Sequence, residues 1–243
     1  MSDYLSNPVQ FSQAEKKPLH LPGAAGLDEA GRGCLAGPVV AACVFLPRQA
    51  GKLTSLEGLT DSKQLAPPIR ARLEPEIKKI ALGWSLGFVW PDEIDRINIL
   101  QASLKAMSLA YASMRFRMLP GAETPVSLLL DGNRNLPASA LLAALAQWGF
   151  GPEALLPRQA VIKGDAKILA IAAASVLAKT ARDRFMLAAD KKYPAYGFQR
   201  HKGYATKEHL DAVSRHGPCP LHRLSFRGST QGIPQAPAAM LPV

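Results

Sequence analysis

Two adjacent carboxylates, Asp28 and Glu29, end a short apolar segment near the start of the chain and stand just before a glycine-rich turn. The apolar segment, 24–29, predicts a β-strand, and a second predicted strand, 39–46, follows the turn. Because the connection is short, we expect the two strands to pair antiparallel. Neighbouring side chains of a strand point to opposite faces of a sheet. The two carboxylates can therefore share a metal site only if the chain bends at Ala30-Gly31, where glycine makes a bend easy.

Two further carboxylates occupy similar positions. Asp131 ends the apolar run 127–130, and Asp165 follows Lys163-Gly164 and opens a long predicted helix, 165–191. Each acid alone has an ordinary structural explanation as a solvated strand end, a turn residue or a helix cap. Together, the four acids predict a divalent-metal site that acts on phosphate, because carboxylates bridge the paired ions of phosphodiester-cleaving sites.

The composition narrows the class of partner. The chain has 243 residues and a formal net charge of +10, which favours a polyanion but leaves nucleic acid and a membrane surface both open. Its three cysteines cannot all pair within one chain and indicate reduced thiols. The first residues lack an apolar signal segment, and no apolar run reaches the roughly 18 to 20 residues that span a bilayer. We therefore expect a cytoplasmic protein with no membrane partner.

The remaining hydrophobic patterns predict an alternation of strands and helices. Further strands are expected at 84–90, 126–130 and 159–162, and helices after Pro67, from Pro91 to Arg117, and at 138–148, 165–191 and 206–216. The run 126–130 is apolar throughout, so it predicts a central strand covered on both faces. The order of elements indicates an α/β fold with a mixed sheet and helical cover. We expect a flexible extension over 1–22, one folded domain over 23–227 and a disordered tail over 228–243.

Six blocks of sequence carry a family resemblance. They are GLDEAGRGCLAGPVV at 26–40, LTDSKQL at 59–65, LDGN at 130–133, KGDAK at 163–167, IAAASVLAK at 171–179 with Arg182-Asp183, and HKGY at 201–204. In content and order these blocks resemble the signature of the ribonuclease HII family. The resemblance implies a ribonuclease H-like mixed sheet flanked by helices, with a C-terminal helical extension. It also implies an endonuclease, using two Mg²⁺ or Mn²⁺ ions, that hydrolyses the RNA strand of RNA–DNA hybrids and cuts 5′ of ribonucleotides embedded in duplex DNA. The products would carry 3′-hydroxyl and 5′-phosphate ends, and the enzyme would act as a monomer.

The same resemblance assigns roles to individual residues. The catalytic metal ligands would be the four acids Asp28, Glu29, Asp131 and Asp165. The backbone of Gly31-Arg32-Gly33 would read the ribose 2′-hydroxyl, the group that distinguishes RNA from DNA at one nucleotide. Tyr204 would stack on the following sugar, unless it is a half-buried core tyrosine, and Arg32 could instead be a phosphate clamp without specificity. Phosphate contacts would come from Lys63, Lys163, Lys179, Arg182 and Lys202.

Other motifs point to no alternative chemistry. The glycines at 31, 33 and 37 miss the dinucleotide-binding spacing by one residue and precede a strand, so we do not expect a nucleotide cofactor. His216, Cys219 and His222 lack a fourth ligand, so we do not expect zinc. Asp183 is expected to pair with a neighbouring base. Two rival functions stay open: another metal nuclease of ribonuclease H-like fold, and a nucleic-acid-binding protein without catalysis.

Overall fold

A five-stranded sheet forms the centre of the computed structural model, which describes residues 17–60, 62 and 65–229. Its strands are β1 (Ala24–Ala30), β2 (Val39–Phe45), β3 (Gly83–Val89), β4 (Ser127–Asp131) and β5 (Arg158–Val161). They lie in the order β3-β2-β1-β4-β5. Strand β2 runs antiparallel to β1 and β3, whereas β1, β4 and β5 run parallel to one another. The predicted mixed sheet and the predicted antiparallel pairing of its first two strands are thus confirmed.

The parallel pairing of β1 with β4 fixes where two of the acids lie. Leu27 pairs with Leu130, so Asp28 and Asp131 come next along their strands at one edge of the sheet. Leu128, Leu129 and Leu130 are all buried, which confirms that β4 is covered on both faces. A covered central strand holds its terminal residue firmly, because the backbone before it is hydrogen-bonded on both sides.

Helices cover both faces of the sheet. They are α1 (Pro67–Ile80), α2 (Pro91–Ile97), α3 (Ile99–Arg117), α4 (Ala138–Ala146), α5 (Gly164–Lys167), α6 (Leu169–Lys192), α7 (Phe198–His201) and α8 (Lys207–His216). Helices α3 and α4 enclose one hydrophobic core, and α1 and α6 enclose the other. Helix α6 approaches β1 so closely that a Cβ on Gly26 would lie 2.2 Å from the carbonyl carbon of Ala170. The sheet therefore needs glycine at this position.

The predicted single helix over 165–191 is wrong in one respect. Residues Gly164–Lys167 form the short α5, and the chain is extended at Ile168 before α6 begins. Leu19 stabilises the interruption: its N–H donates to the carbonyl of Lys167 at 2.6 Å, and its carbonyl accepts from the N–H of Leu169 at 2.9 Å. Residues 17–22 are therefore attached to the folded domain, whereas the rest of the predicted extension, 1–16, lies outside the described residues, as does the tail beyond 229.

The C-terminal helices pack on the second half of α6 and form a separate small core. Tyr196, Phe198 and Val213 are buried there beside Met186 of α6. Thr206 caps α8 as predicted, its Oγ1 accepting from the N–H of His209 at 3.3 Å. This arrangement confirms the helical extension that the resemblance implied.

Three histidines are buried within this extension, and their hydrogen bonds specify neutral rings. His209 Nδ1 lies 2.9 Å from the carbonyl oxygen of Tyr204 and donates to it, so its Nε2 accepts from His222 Nε2 at 3.0 Å. The Nδ1 of His222 accepts from the N–H of Cys219 at 2.9 Å. His201 stacks on His209 with ring centroids 4.3 Å apart, and both of its ring nitrogens bond to backbone groups. The ring nitrogens of these three histidines are thus all engaged in internal hydrogen bonds.

The three cysteines are buried and form no disulfide, as expected for reduced thiols. Within the described ranges, every helix is too short or too polar to cross a membrane.

Candidate active site

Three aspartates from distant parts of the chain meet at one edge of the sheet. Asp28 lies on β1, Asp131 ends β4 and Asp165 lies on α5. One carboxylate oxygen from each lies within 4.8 Å of the others, and they form the one such group of acidic, histidine and cysteine ligands among the described residues. Asp28 and Asp165 are buried, with 3% and 6% of their surface exposed.

Backbone hydrogen bonds hold two of these carboxylates in place. The N–H of Glu29 donates to Oδ1 of Asp28 at 2.7 Å, and the N–H of Gly164 donates to Oδ1 of Asp131 at 2.7 Å. The second bond ties the end of β4 to the start of α5, which also carries Asp165. Ser175 of α6 hydrogen-bonds to Asp28 as well. Ser175 was not predicted as a site residue, although a single hydroxyl within the alanine-rich run 170–178 was a signal for it.

The aspartates repel one another. Burial raises the pKa of Asp28 well above its usual range, and the nearby negative charges of Glu29 and Asp131 raise it further. The hydrogen bonds from Ser175 and from the backbone oppose this shift only in part. A site that brings three carboxylates this close together is chemically suited to a hard divalent cation such as Mg²⁺ or Mn²⁺. The residues present therefore fit the metal that the sequence predicts.

Glu29 does not join the three aspartates. Strand β1 continues to Ala30, so the expected bend comes at Gly31, after both carboxylates, and Asp28 and Glu29 point to opposite faces. Glu29 accepts a hydrogen bond from Arg32 Nη1 at 3.3 Å. It lines a small open cavity that Asp131 also lines, together with Asn133. Asp131 thus lies between the aspartate group on one side and Glu29 on the other.

The glycine-rich turn and the Tyr204 loop lie against each other beside the aspartates. Cys34 and Tyr204 form an antiparallel bridge, and the N–H of Leu35 donates to the carbonyl of Gly203 at 2.8 Å. Tyr204 is 42% exposed, so it is not a core tyrosine, and Lys179 Nζ lies 5.6 Å from its ring centroid. The structure therefore brings together the two segments to which the resemblance assigned recognition of the sugar.

The basic residues predicted to contact phosphate fall into different environments. Lys163 is exposed at the start of α5, beside Asp165. Lys179 is mostly buried and pairs with Asp183 at 2.7 Å, which confirms the expected pairing of Asp183 with a base. Lys202 is partly exposed, and its ammonium donates to the carbonyl of Gln199. Lys63 lies outside the described residues.

Arg182 does not fit the predicted phosphate contact. Its side chain is fully buried, and its guanidinium donates to the carbonyls of Pro38, Ala36 and Lys202. A second fully buried arginine, Arg223, hydrogen-bonds to the same turn. No sequence pattern pointed to Arg223, because a lone arginine in a proline-rich segment is normally a surface residue.

A mixed sheet with helices on both faces, and with aspartates at the edge shared by β1 and β4, defines a protein of the ribonuclease H-like class. A solved neighbour, the ribonuclease H2 from Pyrococcus horikoshii OT3, has this fold: it aligns with a TM-score of 0.64 at 25% identity, covering 85% of this chain and 94% of that one.

The sequence comparisons identify the family. Residues 25–229 match the family profile for Ribonuclease HII. The Ribonuclease HII of Oleidesulfovibrio alaskensis is 50% identical over 210 residues, which cover 83% of this chain and 77% of that protein. The Ribonuclease HII of Nitratidesulfovibrio vulgaris is 50% identical over 204 residues, covering 84% of this chain and 86% of that protein. The chain belongs to the ribonuclease HII family, and it is thus a metal-dependent enzyme of the ribonuclease H class that acts on RNA–DNA hybrids.

Proposed function

We propose that this enzyme hydrolyses the RNA strand of RNA–DNA hybrids and also cuts duplex DNA on the 5′ side of single embedded ribonucleotides, leaving 3′-hydroxyl and 5′-phosphate ends. One observation carries the proposal: three converging aspartates lie next to a turn whose exposed backbone can recognise one ribose. A site of this kind needs a single ribonucleotide rather than a long RNA segment.

The acids divide into two groups that would hold the cations. Asp28, Asp131 and Asp165 would bind on the α6 side of the sheet edge, and Glu29 with Asp131 on the α3 side. When bound, Mg²⁺ or Mn²⁺ activates a water molecule and stabilises the charge on the attacking and leaving oxygens. The backbone N–H of Gly164 keeps Asp131 oriented for this role.

Recognition of the substrate would fall to residues around the acids. The N–H groups of the Gly31-Arg32-Gly33 turn would bond to the 2′-hydroxyl, and the exposed face of Tyr204 would contact the next sugar. Lys163 and Lys202 would bind phosphates of the backbone, adding a salt-dependent contribution to affinity. Lys179 would help orient the Tyr204 ring, over which its ammonium lies.

The substitution Asp131→Asn tests the proposal most directly. Asparagine keeps an oxygen that can accept from Gly164 but removes the negative charge, so the fold should persist while the metal site fails. With Mn²⁺ or Mg²⁺ and a labelled duplex that contains one ribonucleotide, we expect cleavage to fall by more than about 100-fold. Asp211→Asn, an exposed acid on α8, is the matched control and should cleave at the rate of the unsubstituted enzyme.

Three outcomes would contradict the proposal. Undiminished cleavage by Asp131→Asn would remove the aspartates from the mechanism. Faster cleavage of an all-DNA four-way junction would indicate another nuclease of the same fold. Binding of the duplex without any cleavage in Mn²⁺ would indicate a binding protein. The product ends are checked separately: a DNA polymerase extends only a 3′-hydroxyl, and a ligase joins only a 5′-phosphate.

A further inference from the structure

Two arginines lie entirely inside the protein, behind the glycine-rich turn. Arg182 of α6 and Arg223 of the C-terminal segment both have 0% exposed surface. Neither forms a salt bridge with a carboxylate of the described residues. Burial of a charge without a counterion is costly unless hydrogen bonds satisfy it. The positions of these two guanidinium groups therefore call for a reason beyond packing.

Their hydrogen bonds all go to carbonyl oxygens. Arg223 donates from Nε and Nη2 to the carbonyl of Gly37 at 3.0 and 2.8 Å, and from Nη1 to that of Arg32 at 3.0 Å. Arg182 donates from Nε to Pro38 at 3.1 Å and from Nη2 to Ala36 at 2.9 Å. The two guanidinium groups together draw four carbonyls of the turn toward the interior.

The opposite side of the turn is left with unused donors. Arg32 and Gly33 are exposed, and their backbone N–H groups donate to no acceptor within the described part of the chain. A peptide unit places its C=O and its N–H on opposite sides. Because Arg223 holds the carbonyl of Arg32 inward, the N–H of Gly33 in the same peptide unit is directed to solvent, where a substrate hydroxyl can accept.

Arg182 also links the turn to the second recognition segment. Its Nη1 donates to the carbonyl of Lys202 at 2.9 Å, two residues before Tyr204. One rigid guanidinium thus spans the glycine-rich turn and the Tyr204 loop, and it fixes the separation of the groups proposed to contact neighbouring sugars.

The turn is shaped around Arg182. A Cβ on Gly31 would lie 2.1 Å from Arg182 Nε, and the φ angle of Gly31 is +97°, which residues with a side chain rarely adopt. Glycine is therefore needed at position 31 to leave room for the buried Arg182 side chain, whether or not a ligand is bound. Burial, reinforced by the neighbouring charge of Arg182, lowers the pKa of Arg223 to about 10.

We propose that Arg182 and Arg223 are positioning residues that set the selectivity for a ribose 2′-hydroxyl, although neither contacts the nucleic acid. This inference rests on the proposed function. It replaces the direct phosphate contact that the sequence suggested for Arg182. A lysine at either position keeps the charge but cannot form the two or three directed bonds of a guanidinium.

The experiment measures selectivity apart from catalysis. Arg223→Lys is combined with Asp131→Asn, and affinities are measured for a duplex with one embedded ribonucleotide and for an all-DNA duplex of the same sequence. We expect the ratio of the two affinities to fall about tenfold relative to Asp131→Asn alone, the size of one lost hydrogen bond. Affinity for the all-DNA duplex should stay the same, because the exposed lysines are untouched.

Arg158→Lys provides the matched control. Arg158 also donates to backbone carbonyls, at 2.6 Å to Leu136 and 3.3 Å to Leu156, but on β5, away from the turn. The Arg158→Lys substitution should lower the melting temperature of the protein without changing the ratio of the two affinities. If Arg223→Lys does not fold, Arg182→Lys tests the same positioning role at the other guanidinium and should lower the ratio as well.

The outcomes separate the two proposals. A folded Arg223→Lys protein with an unchanged affinity ratio would overturn the positioning role and leave the proposed function intact. Equal affinity of the Asp131→Asn parent for both duplexes would overturn the proposed recognition of single ribonucleotides, and the positioning role with it. A fall in the ratio for Arg158→Lys as large as for Arg223→Lys would show a general effect of destabilisation and would also overturn the positioning role.

Discussion

Acid should weaken the C-terminal extension through its buried histidine cluster. His209 has no exposed surface, and burial lowers its pKa to about 4, from 6.5 in an unfolded chain. Burial lowers the pKa values of His201 and His222 too. A group whose pKa is lower in the folded state binds protons mainly in the unfolded state as pH falls below 6.5, so the folded state loses stability over the interval from about 6.5 to 4.

The size of the effect follows from the two pKa values of His209. At about 1.4 kcal/mol for each pH unit, the loss at pH 4.5 relative to pH 7.5 amounts to about 2.5 kcal/mol from this residue alone. Asp28 acts in the opposite direction, because its pKa is raised, so acid relieves its unfavourable charge. A pH profile of the unsubstituted protein therefore mixes the two effects, and a difference between variants is needed.

Urea unfolding of His209→Gln and of the unsubstituted protein at both pH values isolates the histidine. Glutamine does not titrate, so the variant should be less stable at pH 7.5 by about 1 to 2 kcal/mol but lose about 2.5 kcal/mol less on acidification. His216→Gln, at an exposed histidine ending α8, should retain the pH dependence of the unsubstituted protein. If the two pH profiles of His209→Gln and the unsubstituted protein ran parallel within about 0.5 kcal/mol, the assignment of a neutral His209 would be refuted.

Three further predictions address other parts of the molecule. Gly26→Ala should lower the free energy of unfolding by about 3 kcal/mol, because its Cβ would meet the backbone of α6 at 2.2 Å; urea titration measures this, with Gly33→Ala, whose Cβ would meet nothing, as the comparison. Asp28→Asn should abolish cleavage yet raise the melting temperature in EDTA, since it removes a buried repelling charge, and a lower melting temperature would contradict this. Removal of residues 1–21 should reduce cleavage at limiting Mg²⁺ more than removal of 1–16, because only the longer truncation takes away the bonds of Leu19 that support α5; equal activities would show that these bonds are dispensable.

Much of the fold was predictable because it depends on local patterns. The alternation of apolar runs with helical periods gave all five strands and the main helices, and the uniformly apolar run before Asp131 correctly indicated a central strand. The positions of Asp28, Asp131 and Asp165 at the ends of elements were sufficient to predict their convergence. These features depend on which segments are buried and where strands end, and both show in the sequence as apolar runs followed by acidic residues.

The features that were not predicted from the sequence depend on tertiary contacts between residues far apart in the chain. The interruption at Ile168 depends on Leu19, almost 150 residues earlier, so helix propensity alone favoured an unbroken helix. The bend expected beside the first two acids comes at Gly31, after both of them, so Glu29 faces the α3 side, where we propose that it binds a cation with Asp131. Arg182 was interpreted as a surface cation because buried arginines are rare, and only its bonds to the turn reveal its place inside the protein.

The parallel pairing of β1 with β4 determines when the metal site can assemble during translation. The ribosome makes Asp28 long before Asp131, and Asp165 later still, so an emerging chain carries isolated acids without any pocket for an ion. Cation binding can begin only after the strand that ends at Asp131 has been inserted next to the first strand and α5 has closed over both. Nuclease activity is thereby withheld until most of the polypeptide has left the ribosome.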